Sequence, residues 1–267
     1  MIEVGLLGWP VGHSRSPAMH RAAFASAGIE GRYELVPAPP DALADAFARC
    51  REAGWRGVNV TIPHKERVLH LCDAVDPMAK RVGAVNTVTF DGGNALGSNT
   101  DVAGFSKALF HVSGFEPSGA HALVLGAGGA ARAVVVGLQD LGAGRIQVAN
   151  RDPVRAQALA RELGVEAVPL SSVEEHTPVL IVNATSVGLD GRPTPFFDRL
   201  PFARCYLAYD VIYAPPVRSP FLQVAYRHRC RCVDGRGMLA WQGALAFERW
   251  TGVSAASVVW AMVAAIS

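Results

Sequence analysis

The sequence predicts an α/β fold with mostly parallel sheets, because short apolar segments alternate with helical patterns along the whole chain. Residues 122–125 form a continuous apolar run, which is typical of a parallel strand that is buried on both faces. The chain has 267 residues, of which 50% are hydrophobic, so it can bury one large core or two small ones. Its 25 Lys and Arg residues nearly balance 23 Asp and Glu residues, which argues against the concentrated basic face of a general nucleic-acid-binding protein.

The N-terminal part of the chain predicts three strands and two helices. The strands span residues 4–7, 33–36 and 57–62, and the helices span residues 16–27 and 41–53. Ser16 and Pro17 offer an N-cap and a proline at the first helical position. Gly28 and Gly54 follow the two helices, where glycine commonly ends a helix.

A second unit of strands and helices begins near Gly104. Its predicted strands are apolar runs over residues 122–125, 146–149, 179–182 and 207–211. The first strand leads through a Gly-rich turn into a helix that ends near Leu141. Residues 237–267 predict two further helices, separated at residues 252–254.

The Gly-rich turn predicts a dinucleotide-binding site. It has the sequence Gly126-Ala127-Gly128-Gly129-Ala130-Ala131. In the dinucleotide fingerprint the first glycine permits a tight turn, and the second lets the backbone approach a pyrophosphate. A third small residue lets the helix pack on the strand, and N–H groups at the helix start face the anion. Close packing of an Ala- and Gly-rich helix alone is the competing interpretation.

The next predicted strand ends where a ribose-reading residue is expected. Asn150, Arg151 and Asp152 follow it, and Arg155 lies one helical turn further on. An acid at this place reads a ribose 2′-hydroxyl, whereas arginine accommodates a 2′-phosphate. Asp152 can instead cap the helix that starts at Pro153, which leaves the two arginines as a clamp for NADP.

Polar residues follow several apolar segments of the N-terminal part. Ser14 and Ser16 flank a helix start, where hydroxyls and free N–H groups suit a carboxylate, although Ser16 also suits a plain N-cap. Asn59 and Thr61 share one face of their predicted strand. The remaining members of the set are Lys65, Asn86 and Asp101. The competing interpretations are that Asn59 and Thr61 are merely the exposed polar face of a strand, and that Asp101 caps a helix from residue 102. Taken together, the set suits the binding of a polyhydroxylated acid.

These residues, in this order, resemble the shikimate dehydrogenase family, and the resemblance covers essentially the whole chain. Residues 8–17 resemble the family's G-x-P-x-x-H-S-x-S-P segment, and residues 57–65 resemble its G-x-N-V-T-x-P-x-K segment. Further matching blocks lie at residues 83–87, 99–105, 126–131, 183–186, 209–213 and 237–244. Eight ordered blocks are far more specific than one glycine fingerprint.

The resemblance implies a role for each polar residue. Ser14 and Ser16 would hold the substrate carboxylate, and Lys65 and Asp101 would be the catalytic pair. The ring hydroxyls would be bound by Asn59, Thr61, Asn86, Asp101 and Gln242, with Tyr213 nearby. Cofactor contacts would come from Gly126, Ala127, Gly128, Gly129, Ala130, Asn150, Arg151, Arg155, Thr185, Gly235 and Met238. No metal is expected.

The family's reaction is the reversible reduction of 3-dehydroshikimate to shikimate by NADPH, in aromatic amino-acid biosynthesis. Its fold implies an α/β substrate domain over residues 1–103 and 238–267. A Rossmann-type, doubly wound domain over residues 104–237 would bind NADP, and a cleft would separate the two domains. Lys65 can pass a proton to or from the reacting oxygen, either alone or coupled to Asp101.

One departure keeps alternatives open. Asp152 stands where the NADP-using members usually carry Thr or Ser, so the preference for NADP over NAD can be relaxed. The chain can therefore be a quinate or aminoshikimate dehydrogenase. A catalytically silent ligand-binding regulator is the alternative from another class, which the retained Lys65 and Asp101 oppose.

Compartment and partners are expectations from composition. Five cysteines without a C-x-x-C pair predict neither a disulfide framework nor a zinc site. The first residues lack the basic region of a signal peptide, and the apolar stretch 253–266 is too short to span a membrane. We expect a cytoplasmic protein, monomeric or homodimeric, with a small-molecule substrate and no nucleic-acid or membrane partner.

Overall fold

The computed structural model describes residues 1–213 and 218–267, which form two compact units. Unit one comprises Met1–Gly104 and Leu239–Ser267, and unit two comprises Phe105–Met238. The chain therefore enters unit two after Gly104 and returns to unit one for its C-terminal residues.

Unit one contains a mixed sheet. Its strands are β1 (Ile2–Gly8), β2 (Gly31–Pro37), β3 (Gly57–Val60), β4 (Ala74–Val75), β5 (Thr87–Asp91) and β6 (Asn94–Ser98), in the order β2-β1-β3-β5-β6-β4. β1 pairs in parallel with β2 and β3, whereas β5 pairs antiparallel with β3 and β6. The β5–β6 hairpin was not predicted, although Gly92 and Gly93 at its turn have the positive φ angles that tight hairpins require.

Unit two contains a fully parallel sheet among the described residues. Its strands are β7 (His121–Leu125), β8 (Arg145–Ala149), β9 (Glu166–Ala167), β10 (Leu180–Asn183), β11 (Leu207–Asp210) and β12 (Arg231–Val233), in the order β12-β11-β10-β7-β8-β9. Counted from β7, this is the Rossmann order 3-2-1-4-5-6. The order reverses between β7 and β10, and ligands of such sheets bind beyond the carboxyl ends of the strands at that point.

Helices cover both sheets. The α-helices of the described residues are α1 (Ser16–Ala27), α2 (Leu43–Glu52), α3 (Pro77–Val82), α4 (Asp101–Ala108), α5 (Gly129–Asp140), α6 (Pro153–Leu163), α7 (Pro220–Arg227), α8 (Arg236–Thr251) and α9 (Ala255–Ala264). The predicted helices over residues 16–27 and 41–53 and the two C-terminal helices are thus observed, with small shifts at their ends. None of the helices described is long and apolar enough to cross a membrane.

Each unit has its own core. In unit one, Val58 and Val60 of β3 pack with Phe47 of α2 and Phe90 of β5, and the two phenyl rings meet edge to face at 5.4 Å. In unit two, residues from β7, β10 and α7 pack together in one apolar cluster that includes the fully buried Phe221. Unit two buries β7 almost completely, as its continuous apolar run predicts.

Candidate active site

Lys65 and Asp101 form an ion pair in unit one. The Lys65 Nζ donates to Asp101 Oδ2 at 2.7 Å, and the two side chains are 16% and 4% exposed. Lys65 lies just beyond β3, and its backbone carbonyl accepts from Val85 N at 2.8 Å. Asp101 is the first residue of α4. The ammonium thus remains in reach of solvent while the carboxylate that holds it is buried.

Asn86 sets the orientation of Asp101. Its Nδ2 donates to Asp101 Oδ1 and to Thr100 Oγ1, both at 2.9 Å, and contacts Gln242 Oε1 at 3.3 Å. Its Oδ1 accepts from Thr100 N at 2.8 Å. An amide nitrogen has two hydrogens, so these neighbours engage both of them. Asn86 directs one oxygen of Asp101 toward itself and leaves the other facing Lys65.

Asn99, and not Asp101, caps α4. The Asn99 Oδ1 accepts from the backbone N–H groups of Asp101 and Val102, at 3.0 and 3.3 Å. The prediction that Asp101 caps a helix from residue 102 is therefore wrong. Because the neighbouring amide satisfies the helix start, the Asp101 carboxylate is available to Lys65.

Gln242 reaches this cluster from α8. Its Nε2 donates to Leu239 O at 2.9 Å within the helix, and its Oε1 accepts from Asn86. α8 comes this close because Gly104 has no side chain: a Cβ there would lie 2.8 Å from the Gln242 Cβ. The C-terminal part of the chain therefore contributes a side chain to the polar cluster of unit one.

The two serines lie at the start of α1. Ser16 is the first residue of the helix, Arg15 occupies the N-cap position, and no side chain caps there. The interpretation of Ser16 as an N-cap is therefore wrong, since an N-cap precedes the first helical residue. Ser16 N donates to Ser14 Oγ at 3.2 Å, and Ser16 is buried while Ser14 is half-buried. The Ser14 oxygen accepts the N–H of the first helical residue and keeps its own hydrogen, so with Ser16 beside it this helix start suits an anionic group.

Asn59 lies near the end of β3, and Thr61 lies just beyond it. Asn59 is buried on the strand, whereas Thr61 lies just past it, because the strand ends at Val60 rather than at the predicted residue 62. His64 N donates to Thr61 O at 2.9 Å and closes a turn there. Gly8 makes room for Thr61, since a Cβ on that glycine would lie 2.3 Å from the Thr61 Cγ2.

The Gly-rich turn of unit two fits a dinucleotide. Gly126 has φ +114°, and a Cβ there would lie 2.8 Å from Ala184 O, so only glycine suits this position. Gly128 is the extended N-cap of α5, and no protein atom lies within 4 Å of where its Cβ would be. The open space therefore lies directly against the first N–H groups of α5, where a pyrophosphate binds in this fold.

The β8 end carries the predicted ribose-side residues. Asp152 caps α6, because its carboxylate accepts from Val154 N at 2.9 Å and from Arg155 N at 3.4 Å. The capping interpretation of Asp152 is therefore confirmed. Asn150 Nδ2 donates to Asp152 O at 3.0 Å, and the side chains of Arg151 and Arg155 are exposed. Gly126 N donates to Ala149 O at 2.8 Å, which ties this strand end to the Gly-rich turn.

A buried carboxylate organises the ends of β10 and β11. Asp210 accepts from Asn183 Nδ2 and from Ile212 N, both at 3.0 Å, and from the Ser219 hydroxyl. Burial raises the pKa of Asp210 to about 7. Asn183 Oδ1 in turn accepts from Thr185 Oγ1 at 2.7 Å. Thr185, a predicted cofactor contact, is thereby fixed to the strand end.

The other predicted residues of unit two lie near its C-terminal strands. A Cβ on Gly235 would lie 2.0 Å from Val211 O, so this position requires glycine, and Met238 is buried. Tyr213, a predicted substrate contact, is half-buried and belongs to unit two, as do the predicted cofactor contacts. Among residues 1–213 and 218–267, no group of His, Cys, Asp or Glu side chains could hold a metal ion.

The chain matches three family models in order. Residues 6–88 match the shikimate dehydrogenase substrate binding domain, residues 111–188 match shikimate / quinate 5-dehydrogenase, and residues 235–257 match the shikimate 5′-dehydrogenase C-terminal domain. The shikimate dehydrogenase (NADP(+)) of Moorella thermoacetica is 43% identical, over 93% of this chain and 88% of its own length. The chain belongs to the shikimate dehydrogenase family.

Other members of the family agree in sequence and structure. A shikimate dehydrogenase (NADP(+)) of Thermus thermophilus is 46% identical over 95% of this chain and 94% of its own. The crystal structure of shikimate 5-dehydrogenase from that organism, in complex with NADP(H) and shikimate, matches with a TM-score of 0.87 at 43% identity. The match covers 99% of this chain and 100% of that one. The predicted α/β fold with a Rossmann-type unit is thereby confirmed.

The structure connects most of the unit-one residues that the resemblance singled out. Hydrogen bonds link Lys65, Asp101, Asn86 and Gln242 to one another. Asn59 Nδ2 donates to the backbone carbonyl of Asn86 at 3.2 Å. Sequence reasoning missed Asn99 and Tyr33, which hold Asp101 and Asn59 in place. Asn99 lay next to Asp101 in a polar cluster and could have been predicted as the cap, whereas Tyr33 carried no signal beyond its place in a strand.

Proposed function

We propose that the protein catalyses the reversible NADPH-dependent reduction of 3-dehydroshikimate to shikimate, with Lys65 and Asp101 as the proton-transfer pair. The observation that carries the proposal is the 2.7 Å contact between a partly exposed lysine and a buried carboxylate. This pair lies in the unit that includes the match to the family's substrate binding domain. The names of the relatives support shikimate as the substrate and NADP as the cofactor.

The polar residues of unit one would hold the substrate. Ser14 and Ser16, at the start of α1, would bind the carboxylate, because the helix start offers N–H groups beside the two hydroxyls. The ring hydroxyls would be bound by Asn59, Thr61, Asn86, Asp101 and Gln242, with Tyr213 as a further contact. Residues 1–103 and 238–267 would thus act as the substrate-binding and catalytic domain.

Lys65 would move the proton. Its ammonium would donate to the carbonyl oxygen as the ketone is reduced, and its amine would take the proton back in the reverse direction. Asp101 would hold Nζ in place, while Asn86 keeps the second carboxylate oxygen occupied. Because Lys65 is 16% exposed, it can exchange protons with water between turnovers.

Residues 104–237 would bind NADP, which when bound supplies or accepts the hydride. Backbone N–H groups of Gly128, Gly129 and Ala130 would face the pyrophosphate, because the space beside Gly128 is open. The exposed Arg151 and Arg155 would contact the 2′-phosphate. The further contacts would come from Gly126, Ala127, Asn150, Thr185, Gly235 and Met238.

A relaxed cofactor preference is the second candidate, and the observation that favours it is Asp152. Its carboxylate lies one residue from Arg151 and is exposed, so it would oppose a 2′-phosphate held there. Two backbone N–H groups already bind this carboxylate, which weakens that opposition. Activity on quinate or an aminoshikimate, with NAD, would accompany such a relaxed preference.

The location that best suits the chain is the cytoplasm. All five cysteines are free thiols, and Cys50, Cys205 and Cys230 are buried. Free thiols are typical of proteins in a reducing compartment.

Turnover tests the proposed function. Purified protein mixed with shikimate and NADP is expected to form NADPH and 3-dehydroshikimate in equal amounts, measured by absorbance and by mass spectrometry. Titration calorimetry with shikimate serves as the binding control. Tight binding of shikimate without NADPH formation would identify a catalytically silent binding protein and refute the proposal.

A further inference from the structure

The phenol of Tyr33 contacts Asn59, one of the residues that would hold the substrate. Tyr33 belongs to β2, is 8% exposed, and its hydroxyl donates to Asn59 Oδ1 at 2.9 Å. Because Tyr33 gives its only hydrogen to Asn59, its hydroxyl has no further hydrogen to donate.

We propose that Tyr33 is a positioning residue for substrate binding, which holds the Asn59 amide in the geometry that shikimate requires. This inference rests on the proposed function, since it concerns the same substrate site. Tyr33 itself would not touch the reacting atoms.

The hydrogen bonds beyond Asn59 extend the connection to the catalytic pair. Asn59 Nδ2 donates to Thr87 Oγ1 at 3.1 Å, and Thr87 Oγ1 donates to Asn86 Oδ1 at 3.1 Å. Asn86 then donates to Asp101, which Lys65 holds from the other side. The donors follow one direction along the series Tyr33, Asn59, Thr87, Asn86 and Asp101. Polarisation strengthens neighbouring bonds of such a series, so Tyr33 acts mainly on Asn59 and little on the distant Asp101.

The hydrogen count at Asn59 specifies what it can offer to a ligand. Its two amide hydrogens go to Thr87 Oγ1 and to the Asn86 backbone carbonyl. The remaining capacity is the second lone pair of Oδ1. Asn59 would therefore accept a hydrogen from a ring hydroxyl and would not donate one. Tyr33 fixes this polarity, because it donates to Oδ1 and so keeps the carbonyl side of the amide directed toward itself and the ligand.

Neighbouring rings hold Tyr33 in place. His20 of α1 stacks on it, with centroids 4.2 Å apart and ring planes 11° from parallel. Burial lowers the pKa of His20 to about 3, so this ring is neutral, and burial raises the pKa of Tyr33, so the phenol keeps its hydrogen. Trp250 of α8 lies against both rings. The ring therefore stays in position when only its hydroxyl is removed.

The Tyr33→Phe variant tests this inference. Loss of the hydrogen bond that orients Asn59 is expected to raise the KM for shikimate about 3- to 10-fold. The kcat and the KM for NADP should change less than about two-fold, because Tyr33 contacts neither the proton-transfer pair nor unit two residues in any bond described. Tyr226→Phe removes an exposed phenol hydroxyl in unit two and is the matched control, expected to retain wild-type constants.

A double-mutant cycle with Asn59→Ala separates positioning from a general structural role. If Tyr33 acts through Asn59, its removal adds less than about two-fold to the KM of the Asn59→Ala variant. The inference would be overturned if Tyr33→Phe kept the wild-type KM for shikimate, or if it raised that KM equally in the wild type and in Asn59→Ala. In either case, shikimate turnover by the wild type would still uphold the proposed function. Absence of shikimate turnover by the wild type would refute the proposed function, and this inference with it.

Discussion

Replacing Lys65 by methionine removes the ammonium while keeping a side chain of similar length. The variant loses the group that would pass the proton, so kcat is expected to fall by about 10²- to 10⁴-fold. The KM for NADP should stay near that of the wild type, because the predicted cofactor contacts belong to unit two. Lys80→Met removes an exposed lysine and is the matched control, with unchanged kcat expected.

The same change has a calculable effect on stability. It leaves Asp101, which is 4% exposed, with the Asn86 amide in place of its cation. Breaking a fully buried ion pair costs about 3–5 kcal/mol. Because water can reach the Lys65 side of this pair, we expect about 2 kcal/mol here, a fall in Tm of roughly 4–8 °C for a chain of this size.

A second substitution separates catalysis from folding. In Lys65→Met/Asp101→Asn the uncompensated charge is gone, so much of the lost Tm should return while kcat stays low. Steady-state kinetics with shikimate and NADP and thermal unfolding of the same preparations measure both quantities. A folded Lys65→Met enzyme with kcat within about tenfold of wild type would remove Lys65 from proton transfer. A double variant as unstable as the single one would refute the charge argument.

Three further predictions concern unit two. Gly128→Ala should leave Tm within about 2 °C of the wild-type value, because the added Cβ meets no protein atom. The same Cβ would fill the space for the pyrophosphate, so the KM for NADP should rise at least about tenfold. An unchanged KM would contradict the assignment of this turn to the cofactor. Asp152→Ser keeps a helix cap and removes a negative charge. The KM for NADP should therefore fall about 3- to 5-fold, while the KM for NAD stays unchanged. Equal changes for both cofactors would show that Asp152 does not repel the 2′-phosphate. The raised pKa of Asp210, about 7, means that the folded protein keeps a proton that the unfolded chain loses near pH 4. Stability should therefore decline as pH rises through about 4 to 7, and Asp210→Asn should flatten that decline in thermal unfolding; an unaltered slope would refute the assignment.

Local patterns predicted the parts of the fold that local interactions determine. The apolar run of β7, the Gly-rich turn and α5 were predicted from adjacent residues, and Asp152 was predicted as a cap from Pro153 beside it. The β5–β6 hairpin was missed because its antiparallel pairing interrupts an otherwise alternating α/β pattern.

Tertiary neighbours decided the rest. Two Asx residues stand close together at the start of α4, and Asn99 takes the cap because Lys65, distant in sequence, pairs with Asp101. Gln242 joins the cluster only when α8 packs against Gly104. Tyr33 looks like an ordinary strand residue until folding brings Asn59 to its hydroxyl.

The most direct test of the proposed function compares kcat/KM for shikimate and quinate, each with NADP and with NAD, on one preparation of the wild-type protein. We predict the highest value for shikimate with NADP, at least about tenfold above each of the other three pairs. A higher value for quinate or for NAD would show a broader dehydrogenase, and no turnover of shikimate with either cofactor would contradict the assigned function.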